Sequence, residues 1–476
     1  MIKKSGKILS CACPSLLSNM TVQYLKRKDM KEDRISQLPD DLISQILSHL
    51  PTKDAVQTSV LSTRWTSLWL WLPRLELSSW NIPDYNAMRS SGDRFFDSNR
   101  VTSIDVLKLS IVSGEYRNIV NDVSYLTSWI AAAIKRRIQH LEVKREPYNS
   151  TYLYEIPLSL YNCDRLVSLK LERAALASAE FVSLPCLKTM HLRNNRFPNE
   201  TTFEALVSCC PVLEELEIFD FFDLLKVYRV HSQSLKRFAF RRLRSKKFYF
   251  VPGLVIDAPR LCGLEILDRV SNIWNIIITN SLGSIAKLHI TLSFGLGVDN
   301  EESDSSWSSR IRSFLSKISR VMDMTISAET FKVIHQYSKL EPLPPFGYMT
   351  RLCLRLRTSE VKWLPTFLES CPNLKSLVLE RDDSMLRGSE HLPCEEMNQI
   401  SFASVPECLR SSLEFVVFEF LGAVADFKLG KYFLENSAVL KKLTLLSYSY
   451  NATKAELFKK FLRLPRRSHK CEVVTI

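Results

Sequence analysis

A chain of 476 residues has room for two or three domains and a sizeable core, and 46% hydrophobic with 24% charged residues is ordinary for a folded protein. Twelve glycines are too few to favour Gly-rich nucleotide loops, and no apolar run is long enough to favour a membrane span. The net charge of +13 is uneven: residues 1–31 hold seven Lys/Arg and one Asp, or +6, while 33–80 hold four basic and five acidic residues, or −1, so the balance says little about nucleic-acid binding.

In chain order, MIKKSGKILSCACPSLL has a basic start and a short apolar stretch, but Ser10, Pro14 and Ser15 interrupt it and Lys26, Arg27 and Lys28 follow. Residues 1–32 therefore read as a flexible basic tail rather than a secretory signal. Next, Leu42, Ile43, Ile46, Leu47 and Leu50 recur at helical spacing behind Pro39, Asp40 and Asp41, which suit a helix start. Pro51 ends that helix, Thr52 is expected to cap the next, and Ser62 and Thr63 offer a further break before Arg64. Val56, Val60, Leu61, Trp65, Leu68 and Trp69 form a second apolar set. About forty residues rarely sustain a core of their own, and each Trp wants to bury about 150–250 Å². The segment asks for a partner surface.

Leu38-Pro39-Asp40-Asp41, Ile46-Leu47, Leu50-Pro51, Val60-Leu61-Ser62 and Arg64-Trp65 with Trp69 resemble the F-box, over residues 33–77. That resemblance implies a three-helix module docking on the Skp-type adaptor of a cullin–RING ubiquitin ligase, the SCF complex. Its adaptor-facing residues would be Leu38, Pro39, Ile46, Leu50, Pro51, Val60, Leu61 and Trp65.

Residues 78–100 read as a linker. Over 101–397 a pattern returns: aliphatic, two variable, aliphatic, one variable, aliphatic. It runs Leu166-Leu169-Leu171, Leu187-Met190-Leu192, Leu213-Leu216-Ile218, Leu235-Phe238-Phe240 and Leu261-Leu264-Ile266, at steps of 21, 26, 22 and 26. Later copies start at Ile285, Met349, Leu374, Leu413 and Leu440, and weaker ones at Ile104, Ile138 and Val321. These are leucine-rich repeats, in which each short strand gives its aliphatic residues to a shared core. Helical returns are expected over Ser128–Ile138 and Phe203–Cys209. Asn195 fits the usual Asn at the ninth position, but Ala174, Phe221 and Leu243 stand at its equivalents, which predicts an uneven solenoid.

An F-box followed by irregular leucine-rich repeats resembles a group of plant F-box proteins, many ending in an FBD domain. Pro406-Glu407-Cys408-Leu409, Leu413 to Phe418, Lys431 to Asn436 and Leu440 to Leu443 resemble that domain, placed at 398–476; Ile400 and Phe402 stand where a tryptophan often precedes it. The fold class expected is α/β: a three-helix F-box, an irregular leucine-rich-repeat solenoid and an FBD-type α/β cap.

If the strands form a curved parallel sheet, the variable residues of the pattern point away from the core. That groups Lys170, His191, Glu217, Arg237, His289, Arg351 and Arg355 on a face suited to a protein substrate. Arg241-Arg242-Leu243-Arg244-Ser245-Lys246-Lys247 is the densest basic run, and residues 299–306 an acidic, flexible inserted loop. Twelve cysteines form no zinc-finger pairs; Cys163, Cys186, Cys209, Cys262, Cys353 and Cys371 sit among leucines as small hydrophobes. No GxxxxGK[ST], HExxH or GxSxG places a nucleophile, phosphate or metal. No catalytic residue, metal or cofactor is expected. The function expected is a non-enzymatic substrate receptor of an SCF-type ligase in cytoplasm and/or nucleus, with no membrane partner. The alternative is a scaffold that binds the adaptor without ubiquitination; a basic nucleic-acid-binding repeat protein ranks third.

Overall fold

The computed structural model describes residues 35, 37–80, 85–112, 124–146, 153–221, 225–242, 253–268, 276–279, 287–292, 304–382, 402, 404–419, 424–446 and 458–476. The chain divides into two compact units, Met1–Leu72 and Pro73–Ile476. The basic tail expected at 1–32 lies outside the described residues.

In the first unit α1 (Asp40–Ser48) starts behind Pro39 with Asp40 and Asp41 in its first turn, where carboxylates meet the positive end of the helix dipole. α2 (Thr52–Gln57) starts behind Pro51. Thr52 is therefore the first helical residue, buried, and not the cap. Extended Ser62 breaks the chain between 3₁₀ turns at Thr58–Val60 and Thr63–Trp71.

The second unit is built on one fifteen-stranded sheet with all its pairs parallel. Its strands in spatial order are β1 (Arg74–Ser78), β2 (Val106–Val112), β3 (His140–Glu146), β5 (Ser168–Glu172), β7 (Thr189–Asn195), β8 (Glu215–Phe221), β10 (Arg237–Arg242), β12 (Gly263–Asp268), β14 (Lys287–Leu292), β15 (Asp323–Ile326), β16 (Arg351–Leu356), β17 (Ser376–Arg381), β18 (Phe415–Glu419), β19 (Lys442–Leu446) and β20 (Glu472–Thr475). Spatial order is chain order, the topology of a solenoid. β4 (Tyr154–Glu155) pairs with β6 (Ala174–Ala175), and β9 (Val227–His231), β11 (Gly253–Asp257) and β13 (Ile276–Ile278) form a second parallel sheet on the return side.

Register follows the aliphatic pattern. The middle aliphatic residue of each copy stands beside that of the next: Leu141, Leu169, Met190, Leu216, Phe238, Leu264 and Leu288 form one continuous row. All are at most 2% exposed. A side chain of this size contributes about 1.5–3 kcal/mol when buried, so a slip by one residue would turn the whole row to water. The weaker copies at Ile104, Ile138 and Val321 are strands too, β2, β3 and β15, with those three residues fully buried.

The segment expected as a linker is not one. It carries α3 (Tyr85–Asp97), packed on β1 and on α4 (Ser124–Lys135). Gly92 lets the helices close, since a Cβ there would lie 2.2 Å from the Trp129 ring. The other expected return helix is α5 (Glu200–Ser208), capped by Asn199, whose side chain accepts from the Thr202 N–H at 2.8 Å. Asn195 does what its position predicts: its carbonyl accepts from the Ala174 N–H at 2.8 Å and its amide donates to the Leu171 carbonyl at 3.1 Å, buried between copies. Of the acidic loop, 299–303 lies outside the described residues, while Asp304–Ser306 opens α6 (Asp304–Ile318), an element the run of charge and serine concealed. The FBD-like region continues the sheet through β18, β19 and β20, with the helices Glu407–Ser411 and Val424–Asn436 between strands.

One buried acid gives this unit a pH signature. Glu360 is 2% exposed and accepts from the Arg357 N–H at 3.0 Å, in the turn Thr358–Trp363 that follows α7 (Ala328–Ser338) by one repeat. Burial pushes its carboxyl up to about 7, against the pull of Arg357 and Lys332 and with the push of Glu329. A raised folded-state value means that stability is full below the unfolded value, near 4.5, and falls as pH rises through about 7. Glu360→Gln keeps the acceptor and removes the ionisation. Thermal melts at pH 5.5 and 8.5 should show the variant losing on the order of 2 kcal/mol less than the parent across that span; equal losses would assign the pH dependence elsewhere.

Candidate functional site

α1 presents two apolar edges. Ile43 and Leu47, one turn apart, are buried at 0% and 1%, whereas Leu42 and Ile46, also one turn apart, are 46% and 47% exposed. Val60 and Leu61 are 88% and 65% exposed. Pro39 and Pro51 are exposed, and Leu38 and Leu50 half-buried. Seven of the eight residues expected to face an adaptor are thus open at least in part. Trp65 is the exception at 4%, and Trp69 at 3% joins it. The indoles are too large to leave wet, so they form the interior that holds the open leucines and prolines in place, a correction to the expectation for Trp65. Leu42 is as open as Ile46 and lay outside the expected set, although its spacing four before Ile46 was legible.

Arg64 fixes the geometry of this face. Its Nε donates to Asp40 Oδ1 at 2.7 Å and its Nη2 to the Leu38 carbonyl at 2.5 Å, tying the third segment to the start of α1. The pair is over a third exposed, so it steers Leu38 and Pro39 more than it stabilises them.

In the second unit the variable positions of the pattern point away from the core, as the exposed–buried alternation of β10 and β16 shows. An open depression of about 580 Å³ crosses strands β8 to β17 on this face. Glu217, Arg237, His289, Arg351 and Arg355 line it; His191 does not. His191 sits beside it on β7, 3.4 Å from Glu215 and 3.8 Å from Glu217, with Lys170 next to it in register.

Among the lining residues missed as site candidates are Arg241, Glu265, Glu215 and Glu380. Arg241 donates to Glu217 at 2.7 Å and, through Nε and Nη2, to Glu265 at 2.9 and 2.6 Å. Glu215 accepts from Arg237 at 2.7 Å, and Glu380 from Arg355 at 2.9 Å. The Arg241 hydrogen bond holds the Glu265 carboxyl below the ordinary range. Burial pushes His289 down although Glu265 stands 3.7 Å away, so its ring is neutral near pH 7. These pairs are part-exposed and worth little stability each; their effect is to fix which charges face outward.

The basic run is not one patch. Arg241 faces the depression, but Arg242 is buried and pairs with Asp268, because successive strand residues point to opposite faces. Leu243 to Lys247 lie outside the described residues. Cysteine placement is also mixed: Cys163, Cys210, Cys371, Cys408 and Cys471 are buried, while Cys186, Cys209 and Cys262 are exposed, contrary to the uniform expectation. Burial pushes the thiols of Cys210, Cys371 and Cys408 up to about 12, which leaves them protonated and poor nucleophiles. Among the described residues no group of His, Cys, Asp and Glu is arranged to hold a metal, and no helix is long and apolar enough to cross a membrane.

Comparison with known families and proteins agrees with this geometry. Residues 35–77 match the F-box domain, 126–294 match "FBD-associated F-box protein At5g56370, LRR repeats", and 400–445 match FBD. An FBD-associated F-box protein of Arabidopsis thaliana is 54% identical over 445 residues, covering 93% of this chain and 100% of the relative. Two F-box/FBD/LRR-repeat proteins of the same plant are 51% and 49% identical, over 94% and 93% of this chain and 98% and 95% of their own lengths. An F-box unit with an open apolar edge, a leucine-rich-repeat sheet and an FBD segment that extends it make this chain a member of the plant F-box/FBD/LRR-repeat family.

Proposed function

We propose that the chain is the substrate-recognition subunit of an SCF-type ubiquitin ligase. The first unit would bind a Skp-type adaptor through Leu38, Pro39, Ile46, Leu50, Pro51, Val60 and Leu61, with Leu42 added to the set. The second unit would take up a protein substrate on the open face of the sheet. The observation that carries this reading is the exposed set Leu42, Ile46, Val60 and Leu61, large apolar side chains on a small helical unit whose Trp65 and Trp69 are already inside. Apolar surface left open on a small unit marks a site of association.

In this reading no side chain of the chain does bond chemistry. Holding a substrate lysine near a carrier-borne ubiquitin raises its effective concentration, which is the whole catalytic contribution. No cofactor or metal takes part, and the place of action is cytoplasm and/or nucleus. The test is co-purification of the intact chain with a Skp-type adaptor, followed by ubiquitin transfer to a captured partner in the rebuilt ligase. A folded chain that ignores several such adaptors would overturn the reading. Adaptor binding without faster modification of any captured partner would favour a scaffold instead.

A further inference from the structure

Most charged residues of the depression are already matched within the chain: Arg237 with Glu215, Arg241 with Glu217 and Glu265, and Arg355 with Glu380. Three are not. Lys287, Asp323 and Arg351 stand in one register row across β14, β15 and β16 and make no ion pair with any described residue. Lys287 and Arg351 are exposed. In the same row Gly263 lies between Arg237 and Lys287 and supplies no side chain, which leaves a gap beside Lys287. The gap is not forced by packing, since a Cβ at Gly263 would meet only the Arg237 Cγ, at an ordinary 3.6 Å. Within this row two cations and one acid leave one positive charge, while the surplus carboxylate of the depression lies where Arg241 is shared by Glu217 and Glu265.

Toward the C-terminus the same face changes character. The row Cys353, Val378, Val417 runs in register across β16, β17 and β18. Beside it Phe415 is 40% exposed, in the row that continues from Arg351 through Ser376. The positive charge of this row thus lies next to an open apolar strip. From β16 to β18 is two inter-strand steps of about 4.8 Å, the length of about three residues of extended chain.

We propose that the strip from Lys287 to Phe415 is the docking site for an extended protein segment with an aspartate or glutamate about three residues from a large apolar side chain. The carboxylate answers the charge of the Lys287–Asp323–Arg351 row, and the apolar side chain covers Phe415 and Val417. One negative charge fits better than a phosphate, which brings about 1.5 to 2 charges into a face already holding Glu215, Glu217, Glu265 and Glu380. The inference rests on the reading that the open face receives the substrate, and supplies its chemistry.

The probe is a set of short degenerate peptide pools fixed as Glu-x-x-Leu, Gln-x-x-Leu and phosphoserine-x-x-Leu, titrated against the full chain bound to its adaptor. The Glu pool should bind about tenfold or more tighter than the Gln pool. Arg351→Glu should abolish that preference, and Gly263→Leu, which fills the gap, should do the same with adaptor binding unchanged. Equal binding of the Glu and Gln pools, tighter binding of the phosphoserine pool, or a preference that survives both variants would overturn the proposal. The two readings fail separately. A chain that keeps the Glu preference but modifies no reporter bearing the peptide defeats the receptor reading and leaves the site standing. A chain that modifies its partner while showing no preference does the opposite.

Discussion

Val60→Asp combined with Leu61→Asp should weaken adaptor binding by on the order of a hundredfold or more, with no change in the melting of the chain. At 88% and 65% exposure, neither side chain holds the unit together. In a complex each would bury most of its apolar surface, at about 1.5–3 kcal/mol apiece. An unpaired carboxylate in its place costs further desolvation. Titration of the purified adaptor against the parent and the double variant reads the loss, and circular dichroism shows whether the fold is kept. Undiminished binding by a folded double variant would move the docking face elsewhere. Trp65→Ala makes the informative contrast. That indole is 4% exposed, so its truncation should cost the unit about 3–5 kcal/mol and abolish binding by unfolding it.

That contrast also marks how far the sequence could be read. The F-box stretch shows which residues are apolar but not which of two edges each belongs to. Leu42, Ile43, Ile46 and Leu47 share one pattern, and only packing separates 43 and 47 from 42 and 46. In the repeats the pattern itself names the strands, because every aliphatic position has the same neighbour one copy away. β1 follows the rule with Leu72, Leu75 and Leu77 but overlaps in sequence the end of the F-box span, which masked it. β20 breaks the rule, with Lys470 where the first aliphatic residue should stand. The return strands β9, β11 and β13 lie between copies of the aliphatic pattern, so the pattern does not name them. On the open face, which positions point outward was legible from the period of two. The pairing of Arg241 with Glu217 and Glu265 was not, because it joins copies 24 residues apart in the chain.

Arg242→Ala should cost the repeats about 3–5 kcal/mol, because it removes the guanidinium paired with the buried Asp268 carboxylate. The two side chains are 9% and 7% exposed, with Arg242 Nε donating to Asp268 Oδ1 at 3.0 Å. They belong to a larger device. Counted from the first aliphatic residue, the eighth position of successive copies is Arg145, Arg173, Asn194, Asp220, Arg242 and Asp268, all buried. A row of buried polar groups thus runs beside the aliphatic ones, where a regular repeat would rely on its asparagines. The backbone turns at this row, with positive φ at Arg173, Asn194 and Asp220, a conformation that side chains accept only when the surroundings hold them there. Replacing both partners, Arg242→Met with Asp268→Leu, should restore most of the loss, since matched apolar groups need no charge partner. Chemical denaturation of the two variants beside the parent separates the cases: Arg242→Ala as stable as the parent would mean that Asp268 is not left uncompensated.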